Sequence, residues 1–304
     1  MARPAMTVAI EARPSPSAVL ELLKPITWFP PMWAFLCGVV SSGVTPAGRW
    51  PAIIVGVLLA GPLVCATSQA VNDWFDRHVD AINEPRRPIP SGRIPGSWGL
   101  WIAVAWTGFS LVVASALGPW VLGAAAFGLA LAWAYSAPPL RLKVNGWWGN
   151  AACGLCYEGL AWITGAAVMI GGGLPDARIL VLAVLYSVGA HGIMTLNDFK
   201  SVEGDRRMGI GSLPVRLGVQ NAGRAACLFM ALPQCAVVVL LWQWDRPWHA
   251  WGVGLLLAVQ GALMLRFLQR PSERALWYSA LGINFFVLGM LVSAFAVRTI
   301  VSLP

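Results

Sequence analysis

Residues 51–71, PAIIVGVLLAGPLVCATSQAV, are apolar almost throughout and run directly into NDWFDRHVDAINEPRRPIPSGRI at residues 72–94. The apolar part is close to the roughly 20 residues that a helix needs to cross the hydrocarbon of a bilayer. The polar part then adds three aspartates and an arginine cluster set among prolines. This stretch predicts a membrane-spanning helix that ends in a charged site at one membrane surface.

The rest of the chain has the composition of a polytopic membrane protein. Its 304 residues are 58% hydrophobic and 11% charged, whereas soluble domains have about 25% charged residues. The apolar runs are continuous and lack a period of two, which favours helices over a β-barrel. We predict an all-α fold with about nine transmembrane helices, within residues 26–43, 51–71, 98–117, 119–135, 148–170, 178–196, 218–241, 248–268 and 276–297.

The basic residues predict the orientation of these spans. With a cytoplasmic N-terminus, 17 of the 21 Lys and Arg residues fall in inner segments, and only Arg49, Arg178, Arg246 and Arg298 fall in outer ones. Cytoplasmic loops of membrane proteins are enriched in these residues. The topology accounts for the net charge of +8, because the basic residues lie in short loops and form no contiguous groove. We expect membrane lipid around the chain and no nucleic acid.

Residues 1–23 lack a long apolar core and predict a loose cytoplasmic arm rather than a cleavable signal peptide. Residues 24–304 are then expected to form a single transmembrane domain. The six cysteines lie in apolar runs, where cysteine commonly acts as a small hydrophobic residue. Cys153 and Cys156 form a CxxC pair without a second pair or a nearby His, so we expect helix packing rather than a zinc site.

A second acidic loop, NDFKSVEGDRRMGIGSLPVRLG at residues 197–218, is similar to the first. A shift of 125 residues aligns three identical pairs, namely Asn72 with Asn197, Asp73 with Asp198, and Asp80 with Asp205. Each set follows an apolar run at its predicted cytoplasmic end. Internal repeats of membrane proteins often build two halves of one site, so we predict two half-sites that face a shared cavity.

On continuous helices the polar residues of each loop would share one face. At 100° per residue, arcs of about 100° hold Asn72, Asp73, Asp76 and Asp80 in the first loop and Asn197, Asp198, Ser201 and Asp205 in the second. Glu203 would point away. Clustered carboxylates repel one another unless a cation neutralises them, and Mg²⁺ binds carboxylates and substrate phosphates. We therefore predict Mg²⁺, held by Asp73, Asp76, Asp80, Asp198 and Asp205; helix-capping aspartates in a solvated loop are the alternative.

Basic residues accompany both acidic sets. The first loop holds Arg86, Arg87 and Arg93, and the second holds Lys200, Arg206 and Arg207. The prolines of the first loop prevent a continuing helix, so this segment must turn and can fold back over the aspartates. Guanidinium groups opposite a metal and carboxylates would form a diphosphate clamp. For each basic residue the alternative is the positive-inside bias alone.

Both loops resemble motifs of the UbiA superfamily of intramembrane prenyltransferases, whose first motif has the form NDxxDxxxD and whose second is another acidic cluster. The extended forms NEPRRPIPSG and SVEGDRRMG resemble its chlorophyll and bacteriochlorophyll synthase branch. The resemblance covers most of the chain. It implies a UbiA-type bundle and Mg²⁺-dependent esterification of the propionate of bacteriochlorophyllide a or chlorophyllide with geranylgeranyl or phytyl diphosphate.

The same resemblance assigns roles to residues. It implies that Asn72, Asp73, Asp76 and Asp80 form the first metal–diphosphate motif, and that Asp198 and Asp205 form the second beside a substrate-binding Asn197. Ser201 stands where the repeat would need an acid, so Glu203 or a water completes that half-site. A bacterial cytoplasmic or intracytoplasmic photosynthetic membrane follows from the resemblance, with other pigment-synthesis or photosystem assembly proteins as possible partners.

Three polar residues inside predicted spans are further candidates for substrate contact. His191 lies two turns before Asp198, so it would touch the tetrapyrrole or its central Mg²⁺; a helix–helix hydrogen bond is the alternative. An acid at the centre of a span costs about 2.5–3.5 kcal/mol on insertion scales, so Glu158 should face the cavity, with Tyr157 beside it.

The chemistry makes esterification reasonable, because a propionate with a pKa near the Glu value of about 4.3 is already ionised at pH 7 and needs no strong base. Two other functions remain open at the level of sequence. One is a UbiA-type prenyltransferase with another acceptor, such as a haem or a quinone ring. The other is a transporter with an acidic cation site, although transporter sites lie near the bilayer midplane and both acidic sets here follow span ends.

Overall fold

The computed structural model describes residues 13–301, and this part of the chain contains helices and no β-strand, which confirms the predicted all-α class. In chain order the helices are α1 Pro16–Leu22, α2 Phe29–Ser41, α3 Trp50–Asn83, α4 Trp98–Leu117, α5 Pro119–Ser136, α6 Gly146–Met169, α7 Ala177–Asp198, α8 Val202–Arg207, α9 Leu213–Leu217, α10 Val219–Gln243, α11 Pro247–Gln269 and α12 Pro271–Val301. Short 3₁₀ turns at Pro25–Thr27 and Leu142–Val144 precede α2 and α6.

Within these residues, eight helices are long and apolar enough to cross a membrane, namely α3 to α7 and α10 to α12. The ninth predicted run forms α2, which has 13 residues and is therefore shorter than the usual span. Pro30 and Pro31 occupy its first turn, where backbone N–H groups have no partner within the helix, so proline costs no hydrogen bond there. Beyond Ser41 the chain leaves the helix at Gly43, which adopts a left-handed φ of 75°. The cytoplasmic position of the N-terminus stays a prediction.

Two of the spans contain a π-helical segment, Leu59–Cys65 in α3 and Leu155–Leu160 in α6. Pro62 lies in the first segment and has no N–H to donate, so the wider turn accommodates a gap in the helical hydrogen bonds. Trp106 of α4 donates its indole N–H to the Pro62 carbonyl oxygen at 3.1 Å. π-helical turns are frequent at functional sites, and both segments border the interior cavity described below.

The largest hydrophobic cluster joins α2, α6, α7 and the last three spans. At its centre the ring of Tyr186 stacks on Trp162 at 5.5 Å and meets Phe286 edge-on at 5.2 Å. All three side chains are fully buried. Such aromatic pairs add to the free energy gained from burial, so this cluster fixes α6, α7 and α12 relative to one another.

Helices α2 and α6 approach closely because glycine lies on both contact surfaces. A Cβ atom on Gly38 would lie 2.1 Å from the carbonyl oxygen of Trp162, and one on Gly165 would lie 2.0 Å from that of Phe35. Small residues permit this backbone contact, which is a common way for transmembrane helices to associate. The contact holds α2, the shortest of the nine apolar helices, against a long span.

The N-terminal arm differs in part from the predicted loose segment, of which residues 1–12 lie outside the described chain. Residues 16–22 form α1, which begins where the Ser15 hydroxyl accepts a hydrogen bond from the Ala18 N–H. Ala18 and Leu22 are fully buried in a cluster with α3 and Ile94. The apolar face of this short helix explains the difference, since docking removes it from water.

Gly38→Ala is expected to destabilise the bundle, because the new methyl group would overlap backbone atoms of α6 that cannot move aside. Overpacking of this kind costs about 1–3 kcal/mol. The matched control is Gly123→Ala in α5, where nothing lies within 4 Å of the added Cβ. Thermal unfolding in detergent should show a lower midpoint for the Gly38 variant only, and equal midpoints would contradict the packing described here.

Candidate active site

A cavity of about 820 Å³ lies among α2, α3, α5, α6, α7 and α12. Its charged end is formed by Asn72 of α3, by Asn197 and Asp198 in the last turn of α7, and by Lys200 just beyond it. Residues of both acidic loops therefore border one cavity, Asn72 from the first and Asn197 and Asp198 from the second. The other predicted metal ligands, Asp73, Asp76, Asp80 and Asp205, are not part of the cavity wall. Most of the remaining wall is apolar and extends to Leu288 on α12.

The first acidic loop is helical through Asn83, so its aspartates do lie on successive turns of α3. Asp73 is 2% exposed and forms an ion pair with Lys24, whose Nζ lies 2.6 Å from Oδ1. Arg87 donates to Oδ2 of Asp80 at 2.8 Å and approaches Asp73 Oδ1 at 3.5 Å. The proline-rich segment thus folds back over this helix, and Arg87 lies beside the aspartates as predicted.

Asp76 is held by the turn between α5 and α6. Its carboxylate forms an ion pair with Lys143 and lies 3.7 Å from Arg141. Asn72 donates its side-chain amide to Asp76 Oδ2 at 3.1 Å. Burial lowers the pKa of Lys143 from its ordinary value, although the neighbouring Asp76 opposes that shift. The first loop therefore presents carboxylates and cations together at the charged end of the bundle.

The second acidic loop is not one continuous helix, which corrects the predicted single face. Helix α7 ends at Asp198, and Asp205 lies on the separate short helix α8. Asp205 is buried and accepts a hydrogen bond from the Ser201 hydroxyl at 3.0 Å. Asp198 accepts one from the side chain of Asn150 at 3.1 Å. A turn at residues 199–201 separates the helices, so the two loops are similar in sequence but not in backbone.

Six residues predicted to bind substrate are not part of the cavity wall, namely Arg86, Arg87, Arg93, His191, Glu203 and Arg206. Glu203 is exposed and pairs with Arg206 and Arg207 one turn further along the same helix. Arg93 forms a bidentate pair with Glu21 of α1 and donates to the carbonyl oxygen of the exposed Arg86. The hydrogen bond from Arg93 lowers the pKa of Glu21 from its ordinary value. In this arrangement Arg93 fastens α1 to the proline-rich segment.

Of the buried polar residues predicted to contact substrate, two line the cavity and one does not. Tyr157 and Glu158 line the cavity, and Gln69 donates to the Tyr157 hydroxyl at 3.2 Å. His191 is not part of the cavity wall. Its ring stacks on Phe229 at 4.3 Å, and Nε2 lies 3.2 Å from the carbonyl oxygen of Trp147. Its surroundings match the helix-packing alternative, because aromatic side chains cover it.

The donor atoms at this end of the bundle suit a hard divalent cation. Within residues 13–301 no three His, Cys, Asp or Glu side chains are grouped as a metal site, and the first-loop aspartates pair with cationic side chains instead. Asp73 Oδ2, however, is buried without a hydrogen-bond partner. An unpartnered buried oxygen is costly, and carboxylates are the ligands that Mg²⁺ prefers. The residues present therefore fit this ion.

Sequence reasoning missed several residues of the site. The sequence assigned only an orienting role, through the positive-inside bias, to Lys24, Arg141 and Lys143. They belong to the site because the fold brings them to Asp73 and Asp76. Asn150 is buried and contacts Asp198. The sequence could have indicated Asn150, because a side-chain amide inside an apolar run needs a polar partner.

The fold and the paired acidic loops define an intramembrane prenyltransferase. A model of the UbiA prenyltransferase family matches residues 27–295, and the chain belongs to this family. It is 55% identical over 291 residues to the bacteriochlorophyll synthase 33 kDa chain of Cereibacter sphaeroides, with 96% of both chains covered. It is 41% identical to a chloroplastic chlorophyll synthase of Oryza sativa subsp. japonica, covering 91% of this chain and 76% of the relative.

The fold is also that of a solved UbiA homolog from Archaeoglobus fulgidus bound to GPP and Mg²⁺. The TM-score is 0.71 at 20% sequence identity, and the superposition covers 93% of this chain and 99% of the homolog. The helical bundle predicted from the sequence is thereby confirmed, and the chain is a multi-pass membrane protein.

Asn150→Leu is expected to lower prenyl-transfer activity by about 10–100-fold, the usual effect of removing a group that orients a functional ligand. The reason is the loss of the hydrogen bond that fixes Asp198 at the cavity. Asn221→Leu on α10 is the control, because that amide is exposed and bonds only near its own helix end. Initial rates in detergent would measure this, and equal rates for both variants would contradict a role for Asn150.

Proposed function

We propose that this chain esterifies the propionate of bacteriochlorophyllide a with a C20 prenyl diphosphate, either geranylgeranyl or phytyl, and releases diphosphate. The observation that carries the proposal is one cavity that Asn72 of the first acidic loop and Asn197 and Asp198 of the second border, with a charged end and a mainly apolar wall. The bacteriochlorophyll synthase relatives, which match nearly the full length of the chain, support the choice of acceptor.

The arrangement suits the donor. The diphosphate would lie at the charged end, near Asn72, Asp198 and Lys200, while its hydrocarbon tail follows the apolar wall past Val64 and Ile193. Cavities of this size bury most of a ligand's surface. Transfer then requires one propionate oxygen to attack C1 of the prenyl group as the C1–O bond to diphosphate breaks, with the bonding electrons leaving on the diphosphate.

The protein's own cations would stabilise that departure. Lys24, Arg87 and Lys143 already lie within ion-pair distance of the first-loop aspartates, so they are close to the place where negative charge develops. We propose that Asp73, Asp76 and Asp80, with Asp198 and Asp205, hold Mg²⁺, as the solved homolog with bound Mg²⁺ supports. When bound, the ion supplies further positive charge to the leaving group.

The surroundings follow from the same proposal. The reaction takes place at the cytoplasmic surface of a bacterial inner or intracytoplasmic photosynthetic membrane, with the N-terminus on that side. The asymmetric distribution of Lys and Arg supports this orientation. Enzymes that supply the pigment and proteins that receive it are candidate partners.

Asp73→Asn and Asp198→Asn should each lower turnover about 100-fold or more. Asp198→Asn should unfold at a temperature close to that of the wild type, whereas Asp73→Asn removes the negative charge that Lys24 and Arg87 face and should unfold at a lower temperature. The amide keeps the shape of the side chain but removes the negative charge that a metal needs. Asp245→Asn is the control, because Asp245 lies on the connection between α10 and α11 at a φ of 56°, which Asn tolerates. Near-normal rates for both test variants would rule out their metal role.

The acceptor is tested by incubating membranes that contain the protein with geranylgeranyl diphosphate and Mg²⁺. Bacteriochlorophyllide a is expected to yield a prenyl ester, and 4-hydroxybenzoate is expected to yield no product. Removal of divalent cations with a chelator should stop the reaction, and added Mg²⁺ should restore it. Product from 4-hydroxybenzoate alone would refute the proposed acceptor while leaving the prenyltransferase class intact.

A further inference from the structure

Glu158 is a cavity residue that the mechanism above does not use. It lies on the π-helical segment Leu155–Leu160 of α6 and borders the cavity. The residue is 6% exposed, and its Oε2 atom is buried without a hydrogen-bond partner. Of the basic side chains in residues 13–301, none forms an ion pair with it. The fold therefore leaves a buried acid unsatisfied beside the place where substrates bind.

A carboxylate without a counter-ion is strongly disfavoured inside a span, so the group is a neutral carboxylic acid there. A neutral acid has one O–H that it can donate. A buried donor without an acceptor is costly, and a ligand that supplies the acceptor removes this cost. The unsatisfied carboxyl group thus points to a ligand with an oxygen acceptor.

The depth of Glu158 indicates which ligand brings that oxygen. Asn150, which contacts Asp198 at the charged end, precedes Glu158 by eight residues, or about 12 Å along the helix at 1.5 Å per residue. Beyond its diphosphate the prenyl donor is hydrocarbon. Only the tetrapyrrole acceptor carries polar atoms that far from the reacting propionate.

We propose that Glu158 donates a hydrogen bond to a carbonyl substituent on the edge of the acceptor ring remote from the propionate, and that it selects rings bearing this group. The inference rests on the proposed function. In bacteriochlorophyllide a the substituent is the 3-acetyl group, whereas chlorophyllide a has a 3-vinyl group at the same position. A vinyl group cannot accept the hydrogen bond, and a site built around such a bond rejects analogues that lack the partner.

The matched acceptors for a test are 3-acetyl-chlorophyllide a and chlorophyllide a, which differ only in this substituent. With Mg²⁺ and geranylgeranyl diphosphate, the wild type is expected to prefer the 3-acetyl acceptor in kcat/KM. Glu158→Leu should reduce that preference about tenfold, the effect of one lost hydrogen bond. Glu158→Gln keeps the shape and an N–H donor, so it should retain most of the preference. An unchanged ratio in Glu158→Leu, or equal losses for both acceptors, would overturn the proposal.

The control variant is Tyr157→Phe, which removes a neighbouring cavity hydroxyl and should leave the ratio of the two acceptors unaltered. A loss of preference in this variant equal to that in Glu158→Leu would contradict a specific role for Glu158.

A second measurement avoids turnover altogether. Resonance Raman spectra of the bound 3-acetyl acceptor, without prenyl diphosphate, should show the acetyl C=O stretch at lower frequency in the wild type and in Glu158→Gln, but not in Glu158→Leu. If the wild type esterifies neither bacteriochlorophyllide a nor the two chlorins, the proposed function itself fails. If it esterifies both equally and the stretch is unshifted, only the inference about Glu158 fails.

Discussion

A carboxylate that is withdrawn from water must be paired with positive charge, and the charged end of this bundle depends on that requirement. Asp73, Asp76 and Asp80 project from successive turns of α3, and each meets a Lys or Arg from another segment. These cations come from the chain before α2, from the proline-rich segment and from the α5–α6 turn. One set of acids on one helix therefore brings together three otherwise separate parts of the chain beside Asn72, which borders the cavity.

The two acidic loops contribute to the cavity in different ways. Helix α3 carries its aspartates on a continuous face. In contrast, α7 ends at Asp198, and Asp205 lies on the short helix α8, where it accepts a hydrogen bond from Ser201. Asp198 instead accepts a hydrogen bond from Asn150 of α6. The site is thus a pair of unlike halves, of which one is rich in ion pairs and the other is held by neutral hydrogen-bond donors.

Polar residues deeper in the bundle show the difference between a structural and a functional role. Gln234 donates to Gln260 at 2.8 Å, and Gln260 donates to the Tyr278 hydroxyl at 3.1 Å, so these buried groups tie α10, α11 and α12 together. Glu158 is also buried, but it borders the cavity and its Oε2 atom has no such partner. A buried acid without a hydrogen-bond partner on a neighbouring helix is the kind of residue expected to serve a ligand.

The sequence by itself determined the helical membrane class, the positions of the spans and the two acidic loops, because span length, apolarity and residue spacing are local properties. It also indicated that the loops belong to one site. Only the tertiary structure decided which cations meet Asp73 and Asp76, that His191 packs against Phe229, and that α7 breaks before Asp205. Those outcomes depend on contacts between residues far apart in the chain, and such contacts are fixed when helices pack and bury their polar groups in pairs.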